Sequence, residues 1–280
     1  MLGMAPVYRI NSVQLILTVF VFCALLAQHM AVAEEPPQIL AFSKTEGFRH
    51  GSISNALEAL QTLGAEHGFT VVATEDAADF NPVNLSGFAA VTFVMTTGDV
   101  LNSTQQSAFE AYIRAGGGFA GIHSASDTEY GWPWYGGLVG AYFARHPSRQ
   151  DAILMVEDAN HPSTSGLPGT FSRFDEWYDF QTNPRGQVNI LLTIDEDSYN
   201  GGGMGNDHPM AWYHEYDGGR SWYTAMGHTN DSYTEPLFLE HLLGGIQYAA
   251  GLVPADTMFS DGFETQPDAE VARQSAAQVQ

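Results

Sequence analysis

The chain of 280 residues carries 10 Lys and Arg against 32 Asp and Glu, a formal net charge of −22, with 44% hydrophobic and 12% aromatic residues. Charge of that sign and size repels phosphate backbones and anionic lipid, so no nucleic-acid partner is expected. The apolar content is far too high for a disordered acidic chain, and the length suits one α/β domain of ordinary to large size.

The first thirty-odd residues stand apart. Arg9, an apolar run over 13–27 and the small-residue pattern Ala31-Val32-Ala33 supply the three parts of a secretory signal peptide. The apolar core is short against the roughly 20 residues that span a bilayer. Residues 1–33 are therefore expected to be removed after Ala33. The expected product is exported, periplasmic or secreted, with no stable membrane anchor after cleavage. The one cysteine, Cys23, lies in this segment and in no lipoprotein-type box. A chain cleaved after Ala33 has no thiol, and so no disulfide, no Cys nucleophile and no thiolate metal ligand.

From there, strand-like and helix-like stretches alternate. Residues 38–42 form a short apolar strand after Pro36-Pro37. Residues 52–67 repeat apolar positions at helical spacing (Ile53, Ala56, Leu57, Leu60, Leu63), with Ser52 as the expected N-cap. Apolar runs at 69–73 and 89–95 read as strands, Ser103 opens a helix carrying Phe109, Tyr112 and Ile113 on one side, and 117–122 reads as the next strand. Strands apolar throughout and separated by amphipathic helices predict a parallel sheet covered on both faces. The second half differs: 152–156, 174–180, 188–194, 210–216 and 221–227 are strand candidates joined by turns. A last helix follows at 235–250, stopped by Gly251. This is a strand-rich extension of the same domain. Residues 252–280 read as a polar tail, largely disordered.

Chemistry-bearing residues fall where α/β folds leave open crevices, at or just beyond strand ends. After the first strand comes Ser43-Lys44-Thr45-Glu46-Gly47-Phe48-Arg49-His50. At the fourth lies Gly116-Gly117-Gly118-Phe119-Ala120-Gly121-Ile122-His123-Ser124-Ala125-Ser126-Asp127-Thr128. Arg145-His146-Pro147, Asp175-Glu176-Trp177-Tyr178, Pro209-Met210-Ala211-Trp212 and the stretch from Gly219-Arg220 to Gly227-His228 follow.

Together these motifs resemble the ThuA-like family, named for bacterial trehalose-utilisation proteins, over about 38–251. The resemblance implies a three-layer α/β/α sandwich, flavodoxin-like and akin to class I glutamine amidotransferases, with 34–251 as one ThuA-like domain. It also implies a place in carbohydrate metabolism. In amidotransferases the matching strand end carries a cysteine on a sharp elbow. Here His123 stands there, so glutamine hydrolysis through a thioester is excluded. The elbow would still push the His123 side chain outward, where imidazole can serve as acid, base, donor or metal ligand. Ser124 beside it leaves the elbow position and has no base at fixed spacing.

Three residues are read as catalytic. His123 is the acid/base, Asp127 is close enough to orient it or to start the next helix, and Glu176 is a carboxyl between aromatics. The expected binding residues are Lys44, Arg49, His50, Arg145, His146, Trp212, Arg220 and His228. The cations are scarce and five of them, Arg149 included, lie in or beside motifs, which suits an oxidised, anionic or polyhydroxylated ligand; the alternative is pairing with Glu46, Asp151, Asp175 or Glu176. Trp177, Tyr178, Trp212 and Tyr223 are candidates to stack on sugar, although large aromatics at period two are more often core. Trp132 and Trp134, in the Gly/Pro-rich stretch 131–137, are expected to be an exposed lid or platform. No local His-x-x-x-His or His-Glu-x-x-His signature fixes a cofactor, but histidines from distant segments can assemble a site for a divalent metal such as zinc. The imidazoles of His50, His123 and His228 are expected within about 10 Å of a common point, the scale of a small-molecule pocket. Two functions fit: acid/base chemistry on a sugar or keto-sugar, or a non-catalytic sugar-binding domain.

Overall fold

The structure is a computed structural model and describes residues 35–253. The leader at 1–33 and all of the tail beyond Val253 lie outside the described residues. Four short strands open the domain: β1 (Gln38–Phe42), β2 (Thr70–Thr74), β3 (Ala90–Val94) and β4 (Gly118–Ile122). Between them run α1 (Ile53–His67), the short α2 (Pro82–Leu85) and α3 (Ser103–Arg114). The second half supplies α4 (Pro133–Val139), β5 (Phe143–Arg145), β6 (Gln150–Val156), β7 (Thr170–Asp175), β8 (Asp179–Phe180), β9 (Asn189–Asp195), β10 (Pro209–Tyr216), β11 (Gly219–Thr224) and α5 (Pro236–Ala250). No helix among the described residues is long and apolar enough to cross a membrane.

One nine-stranded sheet takes the order β2-β1-β3-β4-β11-β10-β9-β6-β7, and β5 pairs separately with β8. The strands from β2 through β4 to β11 run parallel, and those from β11 to β7 alternate antiparallel. The strand-rich half is thus a continuation of the parallel sheet, joined through β11. Every residue of β3 and β4 is buried, Thr92 included, as strands this apolar require. β2 departs from that pattern: it is an edge strand, largely solvent-facing, with Val72 exposed.

Successive residues of a strand point to opposite faces. At β4 the Phe119 ring packs on Phe109 of α3 and Tyr135 of α4, while the neighbouring Gly118 faces the backbone of α5 at Ala249. A Cβ at Gly118 would collide with the Ala249 carbonyl, so glycine lets α5 lie directly on the sheet. Helices therefore cover both faces here.

Several local expectations change. The stretch read as one strand at 174–180 breaks after Asp175, whose own Oδ1 accepts the Glu176 N–H, and pairing resumes only at Asp179. Ser52 does not cap α1; its hydroxyl donates instead to the His228 carbonyl at 2.7 Å. Trp132 and Trp134 form no exposed platform. Trp132 is buried, stacked between Trp134 and Tyr135, and both indoles are tied down through Glu110 and Asp217.

The register explains where chemistry gathers. Ile122 at the end of β4 lies level with Val94 of β3 and Thr224 of β11, so the residues that follow emerge side by side. β7 points the same way but is separated from β11 by three strands. Asp175 nevertheless reaches Gly227 and His228, so the antiparallel half must curl back toward the carboxyl ends of the parallel strands.

Candidate functional site

His123 is the first residue past β4 and adopts φ +52°, a left-handed conformation that costs a non-glycine residue roughly 1 kcal/mol or more. The turn carries the ring off the end of the sheet. Its Nδ1 lies 2.7 Å from the Ala225 carbonyl, an acceptor only, so Nδ1 carries a proton and Nε2 is the ring nitrogen turned toward the cluster. The Tyr178 ring lies over it at 4.3 Å between centroids.

Nε2 of His123 is 3.2 Å from Nδ1 of His228 and 3.5 Å from Oε2 of Glu176, and the latter two atoms are 2.9 Å apart. The His50 ring lies 4.8 Å from His123 and 5.0 Å from His228 between centroids, edge to face with each. Each of His50, His123, Glu176 and His228 offers one donor atom, and all of these lie within 4.8 Å of one another. Four loops supply them, after β1, β4, β7 and β11. His50 is turned by Ser124, whose Oγ sits 3.3 Å from its Nδ1. Sequence spacing left Ser124 without a base. The structure gives it one, but the hydroxyl is wholly buried and orients the ring.

Burial, reinforced by the neighbouring His123 and His228, lowers the His50 ring to about 3, leaving it neutral at physiological pH. Burial works to raise the Glu176 carboxyl, but hydrogen bonds and charge from His123 and His228 outweigh it and hold Glu176 below the ordinary carboxylate value. A neutral imidazole, as at His50, and an ionised carboxylate, as at Glu176, are the protonation states a divalent metal requires of its ligands.

Beneath the cluster lies an anchor that sequence reading missed. Asp175, fully buried, accepts the N–H groups of Glu176, Gly227 and His228 at 3.0, 2.8 and 3.0 Å. Gly227, at φ +115°, makes the turn that aims two of them at the carboxylate. Buried Arg173 pairs with Asp175 at 3.2 Å, with Glu235 at 3.2 Å and lies over the Phe238 ring. The signal was the inward position of a charged residue on a period-two strand, which has to be paired.

His50, Glu176 and His228 open on a cavity of about 350 Å³, whose other walls are Phe48, Asp127, Phe143, His146 and Tyr178. His146 Nδ1 lies 3.3 Å from Glu176 Oε1. Asp127 accepts the Tyr130 hydroxyl at 2.7 Å, and burial raises its carboxyl above the ordinary value despite that bond. His228 also borders a larger cavity of about 590 Å³, lined in part by Arg149, Arg173 and the loop 229–232.

The remaining sequence candidates lie elsewhere. Lys44 pairs with Glu46 at 2.9 Å and donates to the Val100 carbonyl, and Arg49 pairs with Glu75 at 2.6 Å. Arg145 holds Asp179 at 2.5 Å. Arg220 sits at the amino end of β11, opposite the site, and donates to the Tyr248 and Ala249 carbonyls at the end of α5. Trp212 is core, fully buried, its indole bonded to the Val139 carbonyl. None of these five lines the smaller cavity. A second donor group, Asp179, Glu196 and His208, is spent on structure: His208 bonds Glu196 at 2.8 Å and the Tyr178 carbonyl at 2.8 Å, and Arg145 already occupies Asp179.

Fold and site together define an α/β protein with a histidine–carboxylate centre at the carboxyl ends of its parallel strands. Comparison with known proteins is specific about its kin. A family model described as ThuA, trehalose utilisation, matches residues 38–249, and the chain belongs to that family, whose described role lies in carbohydrate metabolism. It is similar in structure to a thua-like protein from Parabacteroides merdae (22% identity, TM-score 0.66, 79% of this chain and 94% of that one). A thua-like protein from Bacteroides uniformis is similar to the same degree (21% identity, TM-score 0.65, 79% and 95% coverage). A cytoplasmic protein from Salmonella typhimurium LT2 shares the fold more loosely (12% identity, TM-score 0.52, 77% and 99% coverage). No curated protein matches it significantly in sequence.

Proposed function

We propose that the chain is a metal-assisted enzyme acting on a sugar or keto-sugar, with His50, His123, His228 and Glu176 as ligands of one divalent cation. The observation that carries this reading is the convergence of three imidazoles and one carboxylate, from four separate loops, with donor atoms within 4.8 Å of one another. Imidazole and carboxylate donors suit zinc. Bound there, the metal would supply Lewis-acid polarisation of a ligand oxygen and acidify water. Asp127 and His146, at the cavity wall and outside the donor set, are placed to move protons, Asp127 through a carboxyl that burial makes easier to protonate. Tyr178 lies over His123 and Phe143 packs on Tyr178, so both rings wall the cavity beside the donors.

The wider framework of the proposal is a three-layer sandwich of the flavodoxin and class I amidotransferase kind, without amidotransferase chemistry. The protein is exported to the periplasm or beyond, and its partners are small carbohydrates rather than nucleic acid. Incubation of the zinc-loaded protein with a panel of disaccharides and their keto derivatives tests the activity. Turnover lost in His123→Ala supports the enzyme, whereas calorimetric binding without product would reduce the site to a sugar-binding one.

A further inference from the structure

The smaller cavity has a composition that narrows its ligand. Among its wall residues there is no lysine or arginine. Two carboxylates, Asp127 and Glu176, face it, and a divalent cation on the four donors would only balance them. The cations that a phosphorylated or carboxylated sugar would need are committed elsewhere: Lys44 to Glu46, Arg49 to Glu75, Arg145 to Asp179, and Arg220 to the end of α5. Arg149 and Arg173 border the other cavity.

What the smaller cavity does offer is an aromatic wall. Of the large apolar side chains exposed among the described residues, Phe48 alone lines it, at 65% relative exposure. The exposure is built in. The Phe48 carbonyl accepts the buried Thr97 hydroxyl at 2.8 Å, Gly47 N–H donates to the same Oγ1 at 3.2 Å, and Glu46 N–H donates to the Thr97 carbonyl at 2.8 Å. With the segment 46–48 held to Thr97 by these three bonds, the ring stands edge to face on His50 at 4.8 Å between centroids. An aromatic face held rigidly beside a metal ligand is preorganised for an apolar surface of the ligand.

We propose that Phe48 is the stacking platform for an uncharged, polyhydroxylated ring, and that this cavity selects neutral sugars over phosphorylated or carboxylated ones. The proposal rests on the sugar-cleft reading above and adds its ligand class and the residue that recognises it. The hydroxyl edge of such a ring faces Asp127, His146 and the donor cluster, and its C–H face lies on Phe48.

The test is isothermal calorimetry on the zinc-loaded protein with trehalose, maltose and cellobiose, and with glucose 6-phosphate and gluconate as anionic probes. Wild type is expected to bind at least one neutral disaccharide and to bind neither anion more tightly. Phe48→Ala should weaken the neutral sugar about tenfold, the loss of one aromatic contact, and Phe48→Trp should restore it. Zinc content is measured on the same samples and should be equal in all three. Tighter binding of an anion, binding unchanged in Phe48→Ala, or no binding of any neutral sugar would overturn the proposal. Zinc bound with no neutral sugar recognised leaves the metal centre standing and removes only this inference. Sugar binding that depends on Phe48 in a protein that takes up no zinc does the reverse.

Discussion

Replacement of Asp175 by asparagine separates the anchor from the ligands it holds. Its Oδ1 accepts Glu176 and His228 N–H, and its Oδ2 accepts Gly227 N–H and faces the Arg173 guanidinium. An amide side chain at this position can keep the contacts of one oxygen but must point its NH₂ at donors on the other side. With the NH₂ on the Oδ2 side, the bond from Gly227 N–H, about 1.5–3 kcal/mol, and the pairing with Arg173 are both lost. Arg173 keeps Glu235, so the loss falls short of the 3–5 kcal/mol typical of an orphaned buried charge, and roughly 3 kcal/mol in total is expected. A domain with about 5–15 kcal/mol of stability still folds. Because Glu176 and His228 take their backbone positions from this carboxylate, zinc affinity should fall by about 10- to 100-fold, the usual cost of disturbing groups behind a metal ligand. Urea unfolding gives the first quantity and chelator competition the second. Ile113→Ala in α3, a core truncation costing about 2–5 kcal/mol, is the control that should leave zinc affinity unchanged. If Asp175→Asn destabilises the fold yet binds zinc like wild type, the anchor supports the sheet and not the centre.

Two further outcomes follow from the same geometry. Burial lowers the His161 and His241 rings to about 3 and about 4. The unfolded chain takes up these protons as pH falls through about 6.5 while the folded chain does not, so stability should drop between pH 6.5 and about 4 by roughly 1.4 kcal/mol per ring and pH unit. Urea midpoints that stay level from pH 6.5 to 5 would refute this. Arg220→Ala should cost roughly 1–2 kcal/mol through the lost bonds to the end of α5 and leave zinc and sugar binding untouched. A thermal melt and calorimetry check both, and impaired sugar binding would return Arg220 to the cleft.

Much of the site was readable because the donors follow strands. His123 comes directly after an apolar run and His50 and His228 a few residues further on from theirs, and parallel strands in register bring such residues together. Arg220 misled for the complementary reason: it lies in the same motif as His228 but at the strand's other end, and a motif does not say which end of a strand faces the crevice. Lys44, Arg49 and Arg145 stand out as scarce cations near motifs, yet in so acidic a chain carboxylates are always at hand to pair them. Trp212 followed the ordinary rule for large aromatics at period two. Phe48 had no distinct signal, and the Asp175–Arg173 pair had only that of charge at inward strand positions, because exposure and burial depend on the curl of the antiparallel half, which pairwise pattern does not encode.

His50, His123, Glu176 and His228 are proposed to bind one metal ion. Elemental analysis of untagged protein, equilibrated with zinc and dialysed exhaustively, tests it most directly. About one zinc per chain should remain in wild type and little in a variant combining His123→Ala and His228→Ala, with both proteins folded by circular dichroism. Equal, sub-stoichiometric zinc in the two would contradict it.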